Sequence, residues 1–273
     1  MGKLSVYEIF TSIEGEGPQA GTPTLFIRVA GCDFRCPFCD TSHSWEVKAG
    51  TMHDVKRVAV EAMRHLKRHP ELQRVSITGG NPLLYKNELQ ELFLELDDLG
   101  HELRHSNGTP RKIMFNIEHP GLLMQPGWEQ ALLSEREFLY KLGDFVRTGH
   151  HHLSINTDVK VPLWEDVHAA IVAHHGLAGA LISLAMANPL ISASMKVLIS
   201  EPSHLRALEA FSANIIPIYT HTPNFSWWVG LVRNKENKVD ENLAKETINA
   251  LCSLPAHLEW RVNPNTHILL GIR

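Results

Sequence analysis

From Thr24 onward the sequence switches repeatedly between short apolar runs and longer stretches with a helical repeat. This alternation constrains the fold more than any other feature, because strands joined through helices pair in parallel with right-handed crossovers. Thr24–Ala30, Val75–Thr78, Ile113–Ile117, His152–Val159, Ser194–Ile199 and Asn214–Ile218 read as strands. Thr51–His69 reads as a helix with Val55, Val58, Ala59, Ala62, Met63 and Leu66 on one face, Thr51 and Asp54 as its N-terminal cap signal, and Pro70 as its stop. Further helices are expected over Glu88–Leu99 (stopped by Gly100), Glu129–Leu142, Trp164–His175 (closed by Gly176), around His204–Phe211, and over Asp240–Leu251, before a last extended piece at Leu258–Val262. Six parallel strands make an incomplete barrel or a strongly curled sheet, and periodicity is also compatible with a doubly wound sheet. Without internal repeats or a long Gly/Ser/Pro linker, residues 1–273 read as one domain.

The first strand runs into Gly31–Thr41, which holds Cys32, Cys36 and Cys39 in the spacing C-x3-C-x2-C. Three neighbouring thiols always leave one unpaired in a disulfide scheme, whereas close thiolates suit zinc or an iron–sulfur cluster. The other cysteine, Cys252, is distant in sequence and reads as a small core residue. Structural zinc and electron-transfer clusters take four protein ligands. Three cysteines on a four-iron cluster leave one iron open to a small molecule. The zinc alternative would recruit His43, four residues after Cys39. In a parallel α/β fold, this loop, the Gly79-Gly80 turn and the Glu118 segment all belong to the C-terminal ends of strands, where ligands bind.

A formal net charge of −4 and the lack of a long basic run argue against a nucleic-acid partner. The start, Met1–Glu8, has no signal-peptide character, and Leu177–Ile191 is broken by Gly179, Asn188 and Pro189, so no membrane span is expected. Reduced thiols then point to the cytoplasm. Among 17 histidines, the His150–His152 run reads as a solvated loop.

The cysteine spacing resembles that of radical S-adenosylmethionine (SAM) enzymes. That resemblance implies a [4Fe–4S] cluster whose open iron is chelated by the amino and carboxylate groups of SAM. Ser12-Ile-Glu-Gly-Glu-Gly17 and Gly21–Thr41 further resemble the 7-carboxy-7-deazaguanine synthase family. The similarity is near-continuous over Glu8–Thr41 and patchy afterwards. It implies an incomplete (βα)6 barrel of the radical SAM type with short N- and C-terminal extensions. It also implies a lyase that turns 6-carboxy-5,6,7,8-tetrahydropterin into 7-carboxy-7-deazaguanine, with a 5′-deoxyadenosyl radical taking hydrogen from the pterin C6, ring contraction and loss of ammonia. A homodimer and an electron donor such as flavodoxin follow from the same resemblance. Rival readings are another radical SAM activity, such as a glycyl-radical activase, and a zinc-stabilised binding module.

Carried over position by position, the resemblance makes Cys32, Cys36 and Cys39 cluster ligands and gives Thr41 a magnesium ion. Phe38, Gly79, Gly80, Asn81, Glu118, Asn156 and Lys160 fall on cofactor-binding positions. Glu14, Glu16, Arg28, Thr78 and His267 fall on substrate-binding positions. A Glu16 carboxylate suits the paired N–H groups of a pterin, and the Arg28 fork suits a carboxylate. Several positions depart from the family: Glu14 stands for the usual glutamine, Asn81 for a frequent glutamate, and Asn265 for a glutamine. Glu118-His-Pro-Gly121 replaces Glu-Thr-x-Gly, and Asp158-Val159 precedes Lys160 in place of Ser-Pro. Lys196, a further point of similarity, reads as a strand-end lysine rather than a catalytic one. Residues 101–111 and 220–239 read as insertions, and Phe225-Ser-Trp227-Trp228 within the second as an exposed aromatic patch or as packing.

Overall fold

The computed structural model describes residues 2–105, 107–123, 127–148, 152–164, 166–214, 222, 224–233, 238–254 and 260–263. Among the described residues nine strands form one sheet: β1 (Lys3–Ile13), β2 (Pro23–Val29), β3 (Thr51–Asp54), β4 (Arg74–Gly79), β5 (Met114–His119), β6 (His152–Val159), β7 (Ile191–Ile199), β8 (Phe225–Leu231) and β9 (Arg261–Val262). Their order is β3-β1-β2-β4-β5-β6-β7-β8-β9. All pairings from β2 to β9 are parallel, and β1 pairs antiparallel with β2 and β3. Six helices follow successive strands: α1 (Val55–Arg68), α2 (Lys86–Gly100), α3 (Trp128–Thr148), α4 (Val167–Ala187), α5 (Leu205–Asn214) and α6 (Glu241–Ser253). Strands β2 and β4–β8 with α1–α6 are the six strand–helix units of the incomplete barrel, and β1 and β3 extend its leading edge.

Strand alternation divides the sheet into two faces. Leu25, Ile27, Val29, Val75, Ile77, Phe115, Ile117, Leu153, Ile155, Ala193, Met195, Val197, Trp227 and Val229 join the helices in one buried apolar core. The intervening residues of the same strands, among them Arg28, Arg74, Ser76, Asn116, Glu118, Asn156, Asp158, Ser194 and Lys196, line the opposite, polar face. This division leaves one face of the sheet for chemistry.

Four expectations change. Thr51–Asp54 pairs with β1 as a strand, so the helix begins at Val55, and Asp54 makes no side-chain cap. Gly176 does not close a helix: α4 continues to Ala187, because that glycine lets α3 come close. A Cβ at Gly176 would lie 2.7 Å from Leu132 Cδ2, and one at Gly143 would lie 2.5 Å from Leu184 Cδ1. The apolar stretch beyond Gly176 is thus the second part of a 21-residue helix that runs on through Gly179 and stops before Asn188 and Pro189. α4 is long and apolar enough to cross a membrane, but it packs against α3, α5 and β7 and is mostly buried. Finally, Asn214 ends α5 and residues 215–218 lie outside the described ones, while the strand beside β7 is Phe225–Leu231, inside the stretch read as an insertion. Its aromatics are packing: Trp227 is 5% exposed and lies 5.8 Å from the rings of Phe211 and Trp260.

Candidate active site

The cysteine loop leaves the C-terminal end of β2 and is tied back at several points. Gly31 N–H donates to Ser44 O, Cys32 N–H to Trp45 O, and Cys39 N–H to Cys36 O. The Arg35 guanidinium donates to the carbonyls of Cys32 and Phe34 and lies over the Trp45 ring. Across the loop, Gly79 and Gly80 close the end of β4 against it. A Cβ at Gly79 would stand 2.1 Å from Val29 O, and one at Gly80 2.1 Å from Gly31 O. The observed reason for both glycines is thus approach to the protein's own backbone, at φ +125° for Gly79. Asn81 braces the same junction: its N–H donates to Gly31 O, its amide donates to Asp33 at 2.7 Å, and its side-chain oxygen accepts from Leu83 N–H.

Cys32, Cys36 and Cys39 are free thiols. Burial pushes the Cys32 thiol above its ordinary value and that of Cys36 up to about 11, with Lys160 the opposing cation for both. Such thiols become thiolates when a metal supplies the missing positive charge. Among the described residues no three His, Cys, Asp or Glu side chains converge as ligands of a single ion would. His43 is exposed with its ring 4.9 Å from Tyr7. A donor set of three soft thiols, with no fourth ligand converging on them among the described residues, fits a cluster with an open iron better than it fits zinc. Phe38, between Cys36 and Cys39, is half-buried, and Thr41 Oγ1 lies 3.7 Å from Cys39 Sγ.

Next to this loop lies a cluster of charges on the polar face. The Glu14–Gly17 segment crosses from the end of β1 onto strands distant in sequence. Glu14, 3% exposed, pairs with buried Arg74 of β4 at 3.2 Å. Burial raises the Glu14 carboxyl and Arg74 draws it back. The extra negative charge that Glu14 introduces therefore has its counterion. Glu16 pairs with Lys196 of β7, and Gly17 sits against the Asn156 side chain. Lys196 also reaches Asp158 at 3.0 Å, and Asp158 pairs in turn with Lys160. Burial alone would raise the Asp158 carboxyl, but the two lysines hold it well below the usual carboxylate range. The Lys160 ammonium donates to Pro120 O and lies 5.6 Å from the centre of the Phe34 ring, inside the cysteine loop.

Glu118 accepts from Asn116 at 2.5 Å and from Asn156 at 3.0 Å. Burial, then repulsion from Glu14 and Glu16, pushes its carboxyl up to about 8. The Glu118-His-Pro-Gly121 turn has its own supports. Gly121 N–H donates to His119 Nδ1, and Leu122 N–H donates to His174 Nε2. Burial lowers His174 to about 4, which keeps it a neutral acceptor. Because Glu118 titrates higher folded than unfolded, its stabilising neutral form is fully present below the ordinary carboxyl range and is lost as pH rises towards 8. Glu118→Gln should therefore raise the melting temperature more at pH 9 than at pH 5. Equal shifts in melts at the two pH values would refute this.

Arg28 shares the polar face with Thr78, its register partner on β4, but its guanidinium pairs with Glu8 at 2.9 Å and lies over Phe10. His267 lies outside the described residues. Arg74, Asp158 and Lys196 escaped the sequence reading as site residues. The cost of an unpaired buried cation inside an apolar strand is a signal that Arg74 and Lys196 share with Arg28. Lys196 lies in mid-strand, so its reading as a strand-end lysine is corrected.

Residues 26–223 match the radical SAM superfamily. A 7-carboxy-7-deazaguanine synthase from Hyperthermus butylicus is 46% identical over 129 residues, 47% of this chain and 48% of that protein. One from Leptospira interrogans is 37% identical over 175 residues, 60% of this chain and 69% of that protein. The chain spans about half the length of several of the curated relatives it matches. QueE from Escherichia coli shares the fold, with a TM-score of 0.51 at 17% identity over 95% of this chain and 92% of that one. On this evidence the chain belongs to the radical SAM superfamily and, within it, to the 7-carboxy-7-deazaguanine synthase family.

Proposed function

We propose that this chain converts 6-carboxy-5,6,7,8-tetrahydropterin into 7-carboxy-7-deazaguanine by ring contraction with loss of ammonia. One juxtaposition supports the reading above all. The Glu14–Gly17 segment and the cysteine loop, at opposite ends of the first strand hairpin, meet on one polar face through Glu16, Lys196, Asp158 and Lys160. A carboxylate that can accept a pterin's amino and amide hydrogens thus lies on the face that the cysteine loop overlooks.

When bound, the cluster and SAM supply hydrogen abstraction by a carbon radical, chemistry that belongs to the cofactor. This chain's own residues hold and shield the reactants. Cys32, Cys36 and Cys39 are the cluster ligands. Phe38, Gly79, Gly80, Asn81, Asn156, Lys160 and a neutral Glu118 line the SAM side. Glu16 reads the amino–amide edge of the substrate, with Glu14 and Thr78 beside it. Arg28 takes the substrate carboxylate by exchanging its pairing with Glu8. Thr41 offers one neutral oxygen to magnesium, which favours oxygen ligands and retains waters. His267 is assigned to the substrate on sequence grounds. A homodimer and a flavodoxin-class electron donor complete the reading.

The test is anaerobic turnover of the reconstituted protein with SAM, a reductant and the carboxy-tetrahydropterin, followed by mass spectrometry of the products. Formation of 7-carboxy-7-deazaguanine is expected, with Thr41→Ala weakening its magnesium dependence and Thr41→Ser doing so less. SAM cleavage without any deazaguanine would reject the assignment in favour of another radical SAM reaction.

A further inference from the structure

We infer that Lys196 is the positioning residue of Glu16, and that Asp158 ties this pair to Lys160 beside the cysteine loop. The inference rests on the proposed function and adds a residue to its substrate site. Lys196 is 9% exposed, and its ammonium touches Glu16 and lies 3.0 Å from Asp158. Asp158 bridges onward to Lys160, whose ammonium faces Phe34. The side chains alternate in sign: Lys160, Asp158, Lys196, Glu16. Two cations and two anions balance, as buried charges must.

Glu16 sits on a short loop segment with no strand partner of its own. Its anchor is Lys196, 180 residues away in sequence and set on a strand paired on both sides. The pair leaves the carboxylate capacity to accept further hydrogen bonds, since its oxygens offer about four lone-pair sites. Lys196 thus orients Glu16, and its positive charge also acts on the nearby Glu118 carboxyl. Groups placed by their neighbours in this way lose function when the support goes, even though the contacting residue is intact.

The experiment compares Glu16→Gln, Lys196→Met, Lys196→Arg and the Glu16→Gln/Lys196→Met double variant, each reconstituted with its cluster. KM and kcat for the carboxy-tetrahydropterin are measured beside 5′-deoxyadenosine formation without substrate. Lys196→Met should raise KM by ~30-fold, the scale of one lost charge-assisted hydrogen bond, while uncoupled SAM cleavage and iron content stay normal. Lys196→Arg, which keeps the charge, should recover most of the loss. Adding Lys196→Met to Glu16→Gln should cost little more, because one residue acts through the other. Additive losses, or an unchanged KM in Lys196→Met, would overturn the inference, and normal iron and SAM cleavage exclude misfolding as the cause. A wild-type protein that cleaves SAM but makes no deazaguanine would overturn the functional reading itself, and this role with it.

Discussion

Replacing any one of Cys32, Cys36 or Cys39 by alanine should remove the iron–sulfur cluster and with it all turnover, while Cys252→Ala leaves both intact. The three loop thiols share one environment. Burial raises Cys32 and Cys36, both feel Cys39 and the Lys160 ammonium, and Cys36 feels Cys32 as well. If these three thiolates are the ligands, losing one leaves two, too few to hold a four-iron cluster. Cys252 is exposed on α6, far from the loop in sequence and outside its hydrogen-bond network. That exposure corrects the expectation of a core cysteine, but not the expectation that it is dispensable. Iron and sulfide analysis of the four variants decides the matter. Loss of iron in Cys252→Ala, or its retention in Cys36→Ala, would contradict the three-ligand arrangement.

The second large effect is expected at the substrate carboxylate and its partner arginine. Glu16→Gln exchanges an acceptor for an amide that points donors at donors, and it also breaks the ion pair with Lys196. A site built for hydrogen bonds penalises such unpaired groups heavily, so kcat/KM for the pterin should fall by ~100-fold or more. Arg28→Lys retains a charge for Glu8 but loses the two-pronged fork, so it should also impair turnover, with a smaller cost to folding. Neither change touches the cysteine loop, and slow 5′-deoxyadenosine formation should persist in both. Deazaguanine and 5′-deoxyadenosine measured in the same reaction separate the two activities. Wild-type rates of deazaguanine formation in both variants would remove Glu16 and Arg28 from the site.

The local pattern of the sequence was enough to place the strand that carries the cysteine loop, the four strands β4–β7, and the apolar face of α1. Each depends on residues within one or two turns or one pleat, where a periodicity of 2 or 3.6 is readable directly. The three-cysteine spacing was legible for the same reason, since all three cysteines lie in one loop. The helix end at Gly176 was misread because a glycine that stops a helix and one that admits a neighbouring helix look alike in sequence. Only the position of Leu132 on α3 tells them apart. The strand at Phe225–Leu231 was hidden in a stretch read as an insertion, and its pairing with β7 and the packing of Trp227 define it. The charges of the site depended most on tertiary structure. Glu14 meets Arg74 across 60 residues and Glu16 meets Lys196 across 180. No local repeat encodes such pairs. They form because the sheet turns alternate residues of distant strands to one face, where buried charges must find partners or not be charged at all.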